Sequence, residues 1–417
     1  MIPRLAVLAS LLLAAASAEN FTDVRPSPQQ VAWQDLEIGV LIHYGPNSFM
    51  NREWGDGKAD PSVFNPPQLD AEQWVRAAQA AGARYVVMVT KHHDGFCLFP
   101  SRETKYGVAS SPWRGGKGDL VREVADACRK HGLKFGTYLS PWDRHEPAYA
   151  DCKAYDKFYA HQVAELAQHY GELTEFWVDG AGSEGHVYDW ERYIEVLRDF
   201  QPNTLLFSGT GFFQYGDIRW CGNESGWTYE DNWNVVDRHG YLRWRPQEAD
   251  FPLRDGGWFW HPNTEHRLKP LDTLLDRYHR SVGYGAQMMI GLAPDDRGLL
   301  PEADVARLRE FGDAVRRLYA NDLARQGTRQ GLQITFRQPV TFDRTVLMEQ
   351  LHAGQHIHRY EIQALTGGAW KTLHAARTIG HKKIDIFPPT TATAVRLLVL
   401  ESSAPPQIRS FQIFDGR

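Results

Sequence analysis

The chain alternates short apolar runs with segments whose apolar residues recur at helical spacing. Eight runs of strand length occur, at 38–42, 85–90, 134–139, 173–178, 204–207, 218–221, 258–260 and 287–290. Helical patterns separate most of them, at 70–81, 119–131, 153–170, 190–200, 271–282 and 302–319. Such alternation is typical of a parallel sheet, and at this length it favours a (β/α)8 TIM-type barrel. A doubly wound sheet is the rival prediction.

After residue 325 the pattern changes to short alternating segments at 333–336, 345–350, 359–364, 383–387 and 394–400, broken by Gly-Gly and Pro-Pro. They predict a small C-terminal antiparallel β-sandwich. We therefore divide the chain into a signal peptide (1–18), a barrel (19–324) and the sandwich (325–417). Between the fifth and seventh predicted strands, an aromatic-rich stretch with Trp227, Tyr229 and Trp233 shows no helical pattern.

The amino terminus has the pattern of a secretory signal peptide. Arg4 precedes an apolar run over 5–16, and Ala16-Ser17-Ala18 fits the small-x-small rule for cleavage. Removing these residues would change the formal net charge from −5 to about −6, which argues against a nucleic acid partner. No later apolar run of about 18 residues exists, so no membrane span is expected. We expect a secreted or periplasmic protein.

The cysteines and aromatic residues leave alternatives open. Cys97, Cys128, Cys152 and Cys221 lie far apart without a CxxC motif, so a zinc cluster is not predicted. An oxidising compartment permits disulfides, and the sequence does not choose among the three pairings. Aromatic residues make up 12% of the chain, with 14 Trp, which fits either a large core or a stacking surface for a sugar.

In such a barrel the chemistry lies at the carboxyl ends of the strands. Asp179 ends the fourth predicted strand, and Gly-Ala-Gly follows it. A helix cap is the structural alternative for such an aspartate, but the glycines favour close approach of a ligand. Glu224 follows the sixth strand, and two carboxylates about 5–5.5 Å apart are what retaining glycoside hydrolysis requires. A salt bridge is the alternative, and Glu53, Glu230 and Asp231 compete for the second role.

The second strand ends in Lys91-His92-His93-Asp94-Gly95. Adjacent side chains on a strand point to opposite faces, so both histidines reach one site only if the strand has already turned, which Gly95 permits. A zinc or iron site from His43, His92, His93 and Asp94 lacks the HxH or HExxH spacing. Hydrogen bonds from imidazoles to sugar hydroxyls fit better beside the tryptophan-rich loops.

At these residues the chain resembles a known family. The segments IGVLIHYGPNSF, EW at 53–54, YVVMVTKHHDGFCLFPS, KFGTYLSPWDRHEP, FWVDGAGSEG, RWCGNESG and GWFWHP are similar to those of the family 29 glycoside hydrolases, the α-L-fucosidases. The resemblance runs from about residue 20 to the end of the chain.

The resemblance implies roles for individual residues. It implies that Asp179 is the nucleophile, and that Glu224 is the acid/base of the subgroup acting on α1,3/α1,4-linked fucose of branched, Lewis-type glycans. The residues that it places around the sugar are His43, Glu53, Trp54, His92, His93, Tyr138 and Trp258. It implies a fucosylated oligosaccharide or glycoconjugate as substrate, and neither a metal nor another cofactor.

Other functions stay open on the sequence. They are a broad-specificity α-L-fucosidase that also acts on α1,2-linked and aryl fucosides, a metal-dependent barrel hydrolase, and a sugar-binding protein without catalysis. Gly291 stands where many relatives have Asn, so the loop after the last barrel strand is left out of the predicted site. The sandwich could be a cap on the barrel or a second sugar site, and the oligomeric state is undetermined.

Overall fold

The computed structural model describes residues 23–208, 215–238 and 241–416. The predicted signal peptide lies outside these residues. In chain order the first ten strands are β1 (Ile38–Ile42), β2 (Tyr85–Lys91), β3 (Lys134–Leu139), β4 (Glu175–Val178), β5 (Leu205–Ser208), β6 (Ile218–Trp220), β7 (Val235–Arg238), β8 (Tyr241–Trp244), β9 (Gln247–Pro252) and β10 (Gln287–Leu292). Apart from the β7–β8 hairpin, these strands pair in parallel in the closed order β1-β10-β9-β6-β5-β4-β3-β2. The predicted barrel is confirmed.

The helices are α1 (Pro28–Gln34), α2 (Pro46–Met50), α3 (Ala71–Ala80), α4 (Leu120–His131), α5 (Cys152–His169), α6 (Trp190–Phe200), α7 (Leu271–Arg280) and α8 (Glu302–Leu318). Aspartates cap the four from α3 to α6, where Asp70, Asp119, Asp151 and Asp189 each accept a backbone N–H of the first turn. Helices α3 to α8 confirm the six helical patterns of the sequence.

The seventh barrel strand is not the predicted one. The barrel uses β9, whereas the predicted 258–260 strand is irregular loop. Glu248 and Asp250 alternate in β9 with Ala249 and Phe251, so the strand has no continuous apolar run. Both acidic residues are buried. A search for continuous apolar runs does not find β9, because this strand places polar side chains inside the barrel.

Glu248 belongs with Glu175 to a polar layer in the lower half of the barrel. Trp177 Nε1 donates to Glu248 Oε1 at 2.9 Å, and Tyr85 Oη donates to Glu248 Oε2 at 2.7 Å. Trp33 of α1 closes the bottom of the barrel and donates to Glu175 Oε2 at 2.9 Å. Burial raises the pKa of Glu175 to about 8 and that of Glu248 well above its usual value, where the Glu175 charge acts in the same direction.

The C-terminal part is antiparallel, with strands β11 (Gly327–Gln330), β12 (Gln333–Glu349), β13 (Ile357–Thr366), β14 (Ala369–Ala376), β15 (Lys383–Ser402) and β16 (Ile408–Phe414). The strand order is β11-β12-β15-β13-β14, with β16 on β12. Both β12 and β15 are long, and the register in which they pair shifts between Thr335 and Val340 of β12. Each strand therefore takes part in both layers of the sandwich. The separate segments predicted at 333–336 and 345–350 are therefore two parts of one strand. The layers enclose their own apolar core, which includes Ile334, Phe342, Ile362, Val395 and Ile413.

This sandwich packs against the barrel. Val346, Ile384 and Phe414 join the apolar core of the barrel rather than that of the sandwich. Polar contacts add to this interface, where Asp35 Oδ1 lies 2.8 Å from His381 Nε2 and 2.6 Å from Arg409 Nη1. The contacts therefore fix the C-terminal part on the barrel.

The sequence left the state of the four cysteines open. Cys97, Cys128, Cys152 and Cys221 are all unpaired, and the first two are buried. Burial raises the pKa of Cys221 and of Cys128 to about 12.

Across the described ranges, no helix has the length and apolarity that a bilayer crossing requires.

Candidate active site

A cavity of about 580 Å³, including the solvent at its mouth, opens at the carboxyl ends of the barrel strands. Six of the predicted sugar contacts and both predicted catalytic carboxyls contribute to its wall. The lining residues are Leu41, His43, Trp54, His92, His93, Tyr138, Trp177, Asp179, Ala181, Phe207, Trp220, Glu224, Asp250 and Trp258. Glu53 is the predicted site residue that does not line it.

Asp179 is held by both of its carboxylate oxygens. The backbone N–H of Ala181 donates to Oδ1 at 3.0 Å, and Tyr138 Oη donates to Oδ2 at 2.9 Å. The side chain is 26% exposed, so it faces the open cavity rather than the core. The glycine-rich turn after β4 therefore supplies a backbone donor that orients this carboxylate.

His93 faces the same carboxylate, with Nε2 at 3.7 Å from Asp179 Oδ2. Its Nδ1 lies 2.7 Å from Ser140 Oγ, and the Ser140 hydroxyl donates to the Trp142 carbonyl at 2.8 Å. Because that hydroxyl proton is engaged, Nδ1 donates to Ser140 and the neutral ring keeps its lone pair on Nε2. Burial lowers the pKa of His93, and the Asp179 charge opposes this only in part.

The run from Lys91 to Asp94 divides between structure and site. Strand β2 ends at Lys91, so both following histidines enter the cavity, with ring centroids 4.1 Å apart. Burial lowers the pKa of His43 to about 3 and that of His92 well below its usual value, so both rings are neutral. Lys91 points away and donates to Asp143 Oδ2 at 3.0 Å. Asp94 accepts the Phe96 N–H at 2.8 Å and shapes the turn.

Glu224 lies at the cavity mouth with part of its side chain exposed, on a loop that backbone hydrogen bonds fix to β9. The Cys221 N–H donates to the Glu248 carbonyl at 2.9 Å, and the Gly226 N–H donates to the Asp250 carbonyl at 3.1 Å. Between them Asn223 closes the turn, because its Oδ1 accepts the Ser225 N–H and its Nδ2 donates to the Trp227 carbonyl. These bonds bring Glu224 to the cavity that contains Asp179.

The surroundings of Glu224 favour its protonated form. Partial burial raises the pKa of this carboxyl, a hydrogen bond with Trp258 opposes the rise, and the negative charges of Asp179 and Glu53 add to it. The described lining residues include no lysine or arginine that would offset those charges. The cavity thus contains an oriented carboxylate and a carboxyl group that holds its proton more strongly than usual.

Glu53 positions a loop rather than lining the cavity. Its Oε1 accepts the Trp258 N–H at 2.6 Å, and its Oε2 accepts the Phe259 N–H at 3.2 Å. The Trp258 indole lies over Gly291 of β10, where a Cβ atom would come within 2.6 Å of the ring. Gly291, which was not predicted to belong to the site, therefore makes room for a cavity-lining tryptophan.

The outer rim of the cavity is aromatic. Trp54 is 48% exposed, and its ring packs edge-on against Trp142 and His93, with centroids 5.4 Å from each. An exposed indole of this kind suits the apolar face of a sugar. By contrast, Trp227 packs under Arg280 and Trp233 packs on His358, so these two aromatic residues do not line the cavity.

Several lining residues were not predicted from the sequence, and two of the predicted competitors for the second carboxyl role lie elsewhere. Trp177, Trp220 and Asp250 point into the barrel from β4, β6 and β9. The alternation in Gln-Glu-Ala-Asp-Phe could have identified Asp250 as an inward position of a strand. Of the competitors, Glu230 binds Lys383 of the sandwich at 2.9 Å, and Asp231 pairs with Arg377 at 3.2 Å.

Comparison with known proteins agrees with this architecture. The α-L-fucosidase family model matches residues 49–318. α-L-Fucosidase 1 of Arabidopsis thaliana is 35% identical over 419 residues, which cover 87% of this chain and 81% of that protein. Human tissue α-L-fucosidase is 35% identical over 321 residues, which cover 67% of this chain and 60% of that protein.

Solved structures show the same fold. A glycoside hydrolase 29 family member from an unknown rumen bacterium matches with a TM-score of 0.88 and 34% identity, over 95% of this chain and 78% of that one. A Ruminococcus gnavus GH29 fucosidase in complex with fucose matches with a TM-score of 0.86 and 27% identity, over 95% of this chain and 98% of that one.

Proposed function

We propose that this chain, which belongs to the α-L-fucosidases of glycoside hydrolase family 29, releases terminal L-fucose from glycans with retention of anomeric configuration. The observation that carries the proposal is the pairing of two carboxyls in one cavity. Asp179 is oriented by Ala181 and Tyr138, and Glu224 has a raised pKa. Two carboxyl groups in unlike environments suit a nucleophile and an acid.

The reaction takes two steps. In the first, a carboxylate oxygen of Asp179 bonds to the anomeric carbon, the glycosidic bond breaks, and the Glu224 proton passes to the departing oxygen. In the second, the Glu224 carboxylate takes a proton from water, the water oxygen bonds to the anomeric carbon, and the bond to Asp179 breaks. The two displacements together retain configuration.

The remaining lining residues have the chemistry to bind the fucosyl unit. The neutral imidazoles of His43, His92 and His93 offer lone pairs to sugar hydroxyls. Trp54 and Trp258 supply aromatic surface for the ring and its methyl group. Glu53 acts by holding Trp258 in place.

Substitution of each carboxyl tests these roles separately. Asp179→Ala should lower kcat on every fucoside by about a thousandfold or more, because the covalent step is lost. Glu224→Ala should lose activity on poor leaving groups yet cleave activated aryl fucosides, and azide should restore its turnover. Glu184→Ala, an exposed carboxylate five residues after Asp179, is the matched control and should match wild type. An Asp179→Ala enzyme within about tenfold of wild type would exclude Asp179 as nucleophile.

We propose α1,3- and α1,4-linked fucose of branched glycans as the preferred substrate. This rests on the similarity of the Gly222-Asn223-Glu224 segment to the subgroup with that preference. Fucose release from a Lewis a trisaccharide should exceed release from 2′-fucosyllactose and from an aryl α-L-fucoside, with or without a chelator. Ready cleavage of the latter two would indicate the broad-specificity alternative, and inhibition by the chelator would indicate a metal-dependent hydrolase.

We also propose that the protein is exported from the cytoplasm. The support is the basic, apolar and small-residue order of residues 1–18. Mass spectrometry of the protein from periplasmic and culture fractions should find an amino terminus at Glu19. Intact protein that begins at Met1 and stays in the cytoplasm would contradict export.

A further inference from the structure

Asp250 is a third carboxyl group in the wall of the cavity, and the two-step reaction does not use it. It lies on β9, is 3% exposed, and shares the cavity with Asp179 and Glu224. Trp220 Nε1 donates to its Oδ1 at 2.5 Å. One carboxyl oxygen is therefore occupied by an indole, and the other is available to a ligand.

The charges around Asp250 disfavour a carboxylate there. Glu224 faces it from the loop after β6, and Glu248 precedes it by two residues on the same face of β9; a charge on either group raises the pKa of Asp250. The titratable groups across the cavity are Asp179, Tyr138 and the three histidines, which are neutral. With no lysine or arginine among the described lining residues, a buried negative charge on Asp250, in addition to that of Asp179, would lack compensation.

The indole and phenol donors of the cavity are already engaged. The indole N–H groups of Trp177 and Trp220 donate to Glu248 and Asp250, and Trp258 bonds to Glu224. The Tyr138 hydroxyl donates to Asp179. A sugar hydroxyl both donates and accepts, so a sugar oxygen beside Asp250 can accept a hydrogen bond that neither these indoles nor Tyr138 is free to donate.

We propose that Asp250 binds the fucosyl unit as a neutral carboxylic acid, whose Oδ2 hydroxyl donates a hydrogen bond to a sugar oxygen. The inference rests on the proposed use of this cavity for fucose. Trp220 selects which oxygen carries the proton, because Oδ1 already accepts the indole N–H. Asp250 is then a binding residue that contributes to specificity, since only a ligand with an acceptor at this position satisfies it.

Asp250→Asn is the discriminating variant, because an amide can accept from Trp220 through its oxygen and donate to the sugar through its nitrogen. The inhibition constant of L-fucose and kcat/KM on an aryl α-L-fucoside should stay within about threefold of wild type. The similar-sized Asp250→Leu should weaken L-fucose binding about tenfold or more. A loss of about a hundredfold in folded Asp250→Asn would mean that Asp250 acts as an ionised acceptor or base, and would overturn the inference.

A second pair of variants covers the case in which Asp250→Asn does not fold. Asp250→Ser keeps a hydroxyl donor, and Asp250→Ala removes it with little change in size. The serine variant should bind L-fucose at least about threefold more tightly than the alanine variant, whereas equal affinities of the two variants would overturn the inference. Asp179→Ala is assayed in parallel. An active Asp179→Ala enzyme would mean that the proposed function is wrong, whereas an inactive one together with equal affinities of the serine and alanine variants would mean that only the inference about Asp250 is wrong.

Discussion

At the scale of single residues, the hydroxyl of Tyr138 makes a contact that should affect the second step of the reaction more than the first. Its hydroxyl donates to Asp179 Oδ2, and that oxygen is part of the leaving group when the fucosyl-enzyme is hydrolysed. Tyr138→Phe should therefore slow the second step about tenfold, since a hydrogen bond to the departing carboxylate is lost. Stopped-flow assays with an activated aryl fucoside should show a burst of phenol that wild type lacks.

Tyr159→Phe is the matched control, because Tyr159 is also buried but donates to the Leu139 carbonyl outside the cavity. It should leave the time course unchanged. A Tyr138→Phe enzyme with unchanged kcat and no burst would contradict the role assigned to this hydroxyl.

Glu224 is a second single residue with a testable role, because its protonation should set the alkaline side of the pH dependence of kcat/KM. The protonated form is the acid, and burial with the Asp179 and Glu53 charges raises its pKa above the usual 4.5. The acid is protonated below its pKa and loses the proton as pH rises through it, so kcat/KM declines on the alkaline side. The alkaline limb of kcat/KM should therefore lie above pH 4.5, and in Glu224→Gln it should disappear on aryl fucosides with good leaving groups. A limb that persists in the variant would assign it to another group.

At the scale of elements, the loop after β6 depends on one close approach to β9. Gly226 has φ +71°, and a Cβ atom there would come within 2.2 Å of the Phe251 ring. Gly226→Ala should displace Glu224 and lower kcat/KM about tenfold to a hundredfold. Gly222→Ala is the control, because its φ is +89° but no atom lies within 4 Å of a Cβ. Equal losses in both variants would attribute the effect to backbone strain rather than to the contact.

The elements also differ in how far the sequence could predict them. Helices α3 to α6 follow from apolar spacing and an aspartate at each N-cap, both of which are local signals. Strand β9 was missed because its inward positions carry Glu248 and Asp250, which only donors on other strands can satisfy. Apolarity alone could not identify a strand that faces a polar interior.

At the scale of the whole molecule, Asp35 links the barrel to the sandwich. Burial acts to raise the pKa of Asp35, but hydrogen bonds and charge from His381 and Arg409 outweigh it and lower the pKa below 3.8. A lowered carboxyl pKa contributes stability that is present above the unfolded value and is lost as pH falls below it. Asp35→Asn should reduce the free energy of unfolding at pH 7 by about 1 kcal/mol, after discounting for partial exposure.

Calorimetry of Asp35→Asn and wild type checks this contribution. The difference in melting temperature should shrink as pH falls below about 4. Asp56→Asn is the control. Asp56 also pairs with an arginine, Arg52, but both residues of this pair are exposed and belong to one loop of the barrel part of the chain. A difference between Asp35→Asn and wild type that does not change with pH would show that the ion pairs do not stabilise this interface.

The sequence by itself determined the barrel, the antiparallel C-terminal part and the strand ends that carry Asp179 and the two histidines. These follow from periodicity and local turns, which depend on neighbours along the chain. Only the tertiary structure decided that Glu53 holds Trp258, that Gly291 makes room for it, and that Asp250 lines the cavity. Those contacts join strands and loops that are far apart in sequence, so closure of the barrel, and not any local pattern, brings them together.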